Sequence, residues 1–384
     1  MTDAIDGGAL AERAAVPSAS HWLPSMRDVS SRVRAQVQRA AGGRHAVSAL
    51  GADDAAVEPM LGFKVLRHRA VGTGPISDLA VAGGRVFTAN YADDSVTVLD
   101  ARTLALVDNF CEVYEPQTMS TLGRRVFVST VSPSYDTVTV IDGGRVASTI
   151  AVKGSVRSLA ASPDGTHVYL ARTHSQGADL AILDTAARRI STVELGAAAP
   201  VALAVSPDGT RVYVASVDHT GGLLAAVDAR VRRIVGAVAV PSAIRDIAVS
   251  PDGKTVYVVS DDAELGGTVD VVDARQLRIT DTIELGERVS RVELSVDGER
   301  AYIVNGGRVT VLCTATHEIV DHIVTPAEPS AVRESEDGGT LFVGDYRGGL
   351  TVLAVAWTSN KLLAEMIGCD VIDVPMLELE PAGV

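Results

Sequence analysis

Short runs in which apolar and polar residues alternate recur along most of the chain. VTVLD (96–100), VTVID (138–142), LAILD (180–184), LAAVD (224–228) and VDVVD (269–273) each end on an aspartate, while VTVLC (309–313) and LTVLA (350–354) end without one. Alternation with a period of two puts successive side chains on opposite faces, so these runs are expected to be strands. Before each lies another apolar run, beginning at Val86, Val126, Val168, Val212, Val256, Ala301 and Leu341. After each comes a third, such as RISTVEL (189–195), and then a short connection to an apolar run such as VALAVS (201–206). One stretch departs from this period. In SMRDVSSRVRAQVQRAAGG, Val29, Val33 and Val37 fall four apart, Ser25 and Asp28 suit a capping box and Gly42 suits a stop, which predicts a helix over about 25–41.

The strands belong to a repeat. SPDGTHVYLA (162–171), SPDGTRVYVA (206–215) and SPDGKTVYVV (250–259) start 44 residues apart. SVDGERAYIV (295–304) and SEDGGTLFVG (335–344) follow, and AGGRVFTAN (82–90) and LGRRVFVST (122–130) precede as degenerate copies, which makes seven. In S-P-D-G the proline presets one φ, the aspartate bonds turn amides and the glycine takes a positive φ, so the aspartates read as structural. A period of 40–45 residues with four strands per unit predicts an all-β, seven-bladed β-propeller of four-stranded antiparallel blades, with a short N-terminal helical extension. The expected division is an extension and linker over 1–62, the propeller over 63–358 and a tail over 359–384. Closing the ring needs a strand from one chain end. FKVLRHRAVGTGP (63–75) reads as an outer strand plus linker and is preferred, since VGTGP matches the linker pattern; KLLAEMIG (361–368) is the competitor.

The pattern V-x-V-ID … P-x-x-(V/L)AVSPDG-x-x-VYVAN resembles the YVTN-repeat family of seven-bladed propellers over roughly 63–358, with the clearest copies in 155–288. The resemblance specifies the fold and says little about function. Similar propellers include surface and scaffold proteins, lactonases, and haem- or copper-bearing reductases.

Composition narrows the classes. The net charge of −14 disfavours general binding to nucleic acid or anionic membranes. Single-strand binding on Tyr91, Tyr135 and Tyr346 is weakened by the acidic loops around them. Cys111, Cys313 and Cys369 form no CxxC pair, so neither a disulfide framework nor a zinc ribbon is expected. There is no conventional signal peptide and no run of 18 apolar residues, which suggests a cytoplasmic protein. GxSxG, CxxCH and P-loop motifs are also missing.

In this architecture ligands meet the channel or the face that collects the second-to-third strand loops. Candidate binding residues there are Asp78, Gln117, Arg157, His174, Asp218, His219, Arg245, Asp246, Arg291 and Arg347. Aligning the starts of the innermost strands sets Arg157, Arg245 and Arg291 together near the channel, deeper than the acidic rim, where guanidinium forks suit a carboxylate or phosphate or pair with neighbouring aspartates. His174 and His219, with Asp179 and Asp218 near, are weighed as a metal set, but isolated loop histidines are commoner, and no metal or other cofactor is expected. The function expected is a non-catalytic scaffold that binds a protein partner through its loop-rich face. The alternative is an enzyme resembling the propeller lactonases, acting on a small anionic sugar lactone at the channel mouth.

Overall fold

The computed structural model describes residues 62–131, 136–262 and 264–356. The helix expected near 25–41, the tail, Tyr135 and Cys369 lie outside them. Among the described residues, 28 strands make seven four-stranded antiparallel sheets. Six blades are sequential hairpins. Blades one to six start at Ile76, Pro116, Ser155, Ala199, Ala243 and Val289. The seventh takes its three inner strands, Pro329–Glu334, Thr340–Asp345 and Gly349–Val355, from the end of the ring and its outer strand, Phe63–Ala70, from the beginning. Closure therefore uses the N-terminal segment.

Each blade buries both faces, as the alternation requires. One cluster of buried side chains fills each junction between neighbouring blades, seven in all. Aromatic residues of the second strand reach across these junctions: the Tyr213 hydroxyl donates to the Ala274 carbonyl at 3.3 Å, and that of Tyr257 to the Thr314 carbonyl at 3.4 Å.

The turns behave as their chemistry dictates. In the first S-P-D-G, Asp164 accepts the Ser162 hydroxyl at 2.6 Å and the Thr166 amide at 3.0 Å, while Gly165 takes φ +75°. These bonds, led by that of Ser162, hold the Asp164 carboxyl down to about 2. The turns also touch one another. A Cβ on Gly298 would stand 2.8 Å from Pro251 of the preceding blade, so glycine is required there for close approach as well as for its φ of +75°.

The aspartates that end the third strands cap a second kind of turn. Asp184 accepts the amides of Ala186 and Ala187 at 2.9 and 2.7 Å, and Asp228 those of Arg230 and Val231, both at 3.0 Å. Cys313 takes the same place in blade six, where the turn closes by the same bond, His317 N–H to the Cys313 carbonyl at 2.9 Å. Burial pushes the Cys313 thiol up, but hydrogen bonds from the Thr316 side chain and amide and the Ala315 amide outweigh it and leave it lowered.

Edges are managed by bulges. The innermost strand of every blade has an irregularity at its second step, as between Val156 and Ser158 or Ile244 and Asp246. The closing strand is bulged at Leu66 and carries Lys64, Arg67 and Arg69, features that discourage pairing with another chain.

Candidate functional site

The inner bulge decides what faces the channel. An extra residue pushed out of the ladder transfers every later side chain to the opposite face. Arg157 and Arg245 are themselves the bulged residues, and both are exposed. Arg291 stands one step later, level with Asp78 and Asp246, after the bulge at Ser290. The three arginines therefore do not converge, which corrects the expectation from the aligned sequence. Arg245 bonds Asp261 at 2.9 Å, and with 43% of its side chain accessible against 12% for Asp261, it is shallower than the acid it pairs with. Gln117 lies half-buried at the irregular step of blade two.

The carboxylates on the channel side brace the ring. Innermost strands have one unpaired edge, so their outward amides need acceptors. Asp78 accepts the amide of Leu79 at 2.8 Å and that of Met119 in the next blade at 2.7 Å. Asp246 repeats this with Ile247 at 2.9 Å and Val292 at 3.1 Å, and the Ser158 hydroxyl accepts the Leu203 amide at 3.2 Å. One position, in three blades, ties each innermost strand to its successor.

Two arginines complete the cluster. Arg291 of blade six reaches blade one, donating to the Ser77 carbonyl and standing 3.6 Å from Asp78. Arg333 of blade seven bonds Glu293 of blade six at 2.7 Å and the Leu79 carbonyl at 3.2 Å. Glu293 leaves 22% of its side chain accessible to the lumen. Burial pushes its carboxyl up to about 7, with Arg333 opposing and Asp78 and Asp246 adding to the rise. Asp246 is raised by burial too, against the pull of Arg291. Three carboxylates and two guanidinium groups thus meet across blades one, five, six and seven. Sequence reasoning missed Glu293 and Arg333. Both sit where the other blades carry Ala80, Ser120, Ala160, Ala204 and Ala248, and this break in a small-residue column is the signal that was available.

On the loop-rich face, Arg172 makes a buried pair with Asp179, with bonds of 2.8 and 2.7 Å. His174 approaches the same carboxylate at 3.7 Å. His219 is exposed, and Asp218 beside it accepts the Thr220 amide at 2.7 Å. His174 ends its strand opposite Gly177 and Asp218 ends the equivalent strand opposite Gly221, so the repeat makes His174 the counterpart of Asp218 rather than of His219. Among the described residues no group of three or more His, Cys, Asp or Glu is placed to hold a metal ion. Arg347 is exposed, its amide bonded to Asp345 at 2.8 Å.

Three tyrosines mark one arc of this face. Tyr114 and Tyr346 leave 51% and 46% of their surface exposed, and the Tyr91 hydroxyl donates to Glu115 at 3.1 Å. Their loops are fastened together. Gly72 bonds the Gly348 carbonyl at 3.1 Å, Thr73 bonds Asp93 at 2.7 Å, and the Glu115 amide bonds Asp94 at 2.8 Å. Asp93, Asp94, Glu112, Glu115 and Glu328 give this arc its acidic character, with Arg347 at one end.

No family model matches the chain. A stretch of 119 residues is 35% identical to the seven-bladed beta-propeller protein Rv1057 of Mycobacterium tuberculosis, spanning 29% of this chain and 30% of that protein. Among solved structures, hydrazine synthase of Kuenenia stuttgartiensis superimposes with a TM-score of 0.67 at 20% identity, covering 74% of this chain and 96% of that one. The Cps50 (Swd1) beta-propeller domain of Myceliophteria thermophila gives 0.64 at 14% identity, covering 76% and 99%. At these identities the structural likeness speaks for the fold alone. Among the described residues no helix is long and apolar enough to cross a membrane. Seven four-stranded sheets, one buried junction between each pair of neighbours and the partial likeness to a named propeller agree: by fold, the chain is a seven-bladed β-propeller.

Proposed function

We propose that this protein is a non-catalytic interaction module of the YVTN-repeat kind that holds a protein partner on its loop-rich face. The observation that supports this most is the arc of Tyr91, Tyr114 and Tyr346 on loops that hydrogen bonds fasten into one surface. Tyrosine offers a large, stiff, amphipathic contact and is enriched where proteins bind one another. The carboxylates around the arc favour a partner with lysine or arginine side chains at the contact. Changing Tyr114 and Tyr346 together to Ala is expected to weaken the partner complex by about 2 kcal/mol or more. Lys254→Ala, on the opposite face, should leave it unchanged. Affinity capture with the three baits, followed by titration of the recovered partner, checks this. Retention by the tyrosine variant together with loss by Lys254→Ala would place the contact on the other face.

A second reading, an enzyme acting on a small lactone at the channel mouth, is favoured by Glu293 alone, whose carboxyl is held at about 7 beside Arg333. Such a group suits proton transfer near neutrality. Three carboxylates against two guanidinium groups suit a neutral substrate better than an anionic one. Under this reading lactone hydrolysis rises with pH through about 7, as Glu293 loses its proton, and is lost in Glu293→Gln. An equal rate in that variant removes the reading.

A further inference from the structure

The repeat supplies its own controls, and one junction combines three features that no other junction has together. At blades four to five and five to six, a tyrosine hydroxyl donates to the carbonyl of the residue just after the turn-capping position, Ala274 or Thr314. At blades two to three the aromatic is Phe127, as it is Phe87 and Phe342 at two other junctions, so no hydroxyl reaches the counterpart residue, Thr185. A second contact is missing at the same place. The turn residue in the left-handed region normally crosses to the outer strand of the preceding blade. Arg232 donates to Ser191 at 2.9 Å, His317 pairs with Asp281 at 2.7 Å, and Leu277 covers Gly236. Arg188 occupies this position with φ 53° and faces Ser148, yet its guanidinium makes no hydrogen bond or ion pair among the described residues. Thirdly, the outer-strand bulge residue is Ala147, where five other blades carry Leu66, Val107, Val235, Thr280 and Val320.

The three features meet at a cleft of about 180 Å³ at the S-P-D-G end of the junction, lined by Phe127, Ala147 and Arg188 among others. Its floor is Phe127, Val140 and Leu183, all buried. At its mouth stand Arg188 and Arg125, the latter already paired with Asp142 at 3.1 Å. The lining therefore combines an apolar floor with one uncommitted positive charge. An apolar cavity of about 150 Å³ accepts a benzene-sized guest, so this cleft has room for roughly six carbons and a head group.

We propose that the cleft between blades two and three binds a small monocarboxylate with a compact hydrocarbon body, its carboxylate on the Arg188 guanidinium and its body against Phe127, Val140 and Leu183. A guanidinium fork matches a carboxylate in two parallel bonds, and the floor rewards burial of the hydrocarbon.

The test uses the full chain and isothermal titration with benzoate and hexanoate, with benzyl alcohol and inorganic phosphate as comparisons. One benzoate or hexanoate per chain is expected, with phosphate silent and benzyl alcohol at least tenfold weaker. Arg188→Gln should weaken carboxylate binding at least tenfold. Phe127→Tyr should abolish it and raise the melting temperature, because the added hydroxyl fills the cleft and reaches Thr185. If Phe127→Tyr does not fold, Ala147→Leu obstructs the same space from the other wall. No binding of either carboxylate, equal binding of phosphate, or binding that persists in the obstructed variant would overturn the proposal.

Discussion

Deleting residues 1–72 is expected to open the ring, whereas deleting 1–61 leaves every described strand in place. The closing strand Phe63–Ala70 pairs along Gly349–Val355 and forms the outer strand of blade seven. Phe63 is buried, its ring edge-on to Tyr302 of blade six at 6.0 Å. Arg67 donates to the Thr103 carbonyl and Arg69 to that of Leu104, fastening the strand to blade one. Losing a buried phenylalanine alone costs about 3–5 kcal/mol. Together with the ladder, the loss is expected to exceed about 5 kcal/mol, comparable with the whole stability of many domains. It also exposes the long flat edge of Gly349–Val355, a template for pairing between molecules. Size-exclusion chromatography and thermal melting of the two truncations check this: the shorter chain should aggregate or melt more than 10 °C lower, by roughly the usual scaling. Equal melting of the two would mean that closure is not what holds the ring.

Replacing Asp270 by threonine should stabilise the protein, and more so at higher pH. The position repeats around the ring as Thr97, Thr139, Thr310 and Thr351, with Ala181 and Ala225 in the two other blades. Thr97 bonds Asn109 at 3.0 Å, and Thr310 bonds Asn305 at 2.7 Å. Asp270 alone is a carboxylate there, buried beside Val258 on the neighbouring strand and bonded to the Thr282 hydroxyl. Burial pushes its carboxyl up to about 6, with the Thr282 bond opposing. The folded chain thus holds this proton more tightly than the unfolded chain. The group opposes folding increasingly as pH rises from about 4 to about 6, and fully above that. Glu293, at about 7, adds a loss of the same sign that extends to higher pH. Asp270→Thr is expected to gain about 1–3 kcal/mol at pH 7.5 and little near pH 4. Denaturant unfolding at both values measures it, and an equal gain at the two would assign the effect to packing rather than charge.

Much of the architecture is written locally. S-P-D-G specifies its turn through bonds within five residues, such as the His167 amide to the Ser162 hydroxyl at 2.9 Å, so the turn forms wherever those residues occur. Alternation specifies strands, and the repeat near 44 residues specifies identical units that must stack to bury their faces. The glycine-rich VGTGP linker likewise pointed to closure by the first strand rather than by 361–368. Where identical units serve identical ends, sequence periodicity carries the structure.

The channel and the cleft are decided otherwise. A bulge moves a side chain from one face to the other for a shift of one residue, and no turn motif fixes its position. Arg291 therefore looked equivalent to Arg157 and Arg245 while belonging with Asp78 and Asp246. Its partner lies two blades away. Burial pushes the Glu293 carboxyl up to about 7, and Asp78 and Asp246, distant in sequence, add to the rise. Phe127 is an ordinary core aromatic until the junction sets it beside Arg188, whose guanidinium has no partner among the described residues. The sequence by itself determined the units, their turns and their number. Tertiary structure alone decided which charges meet and where a gap remains, because both depend on contacts between blades whose residues lie some 40 or more positions apart, beyond the reach of any local pattern.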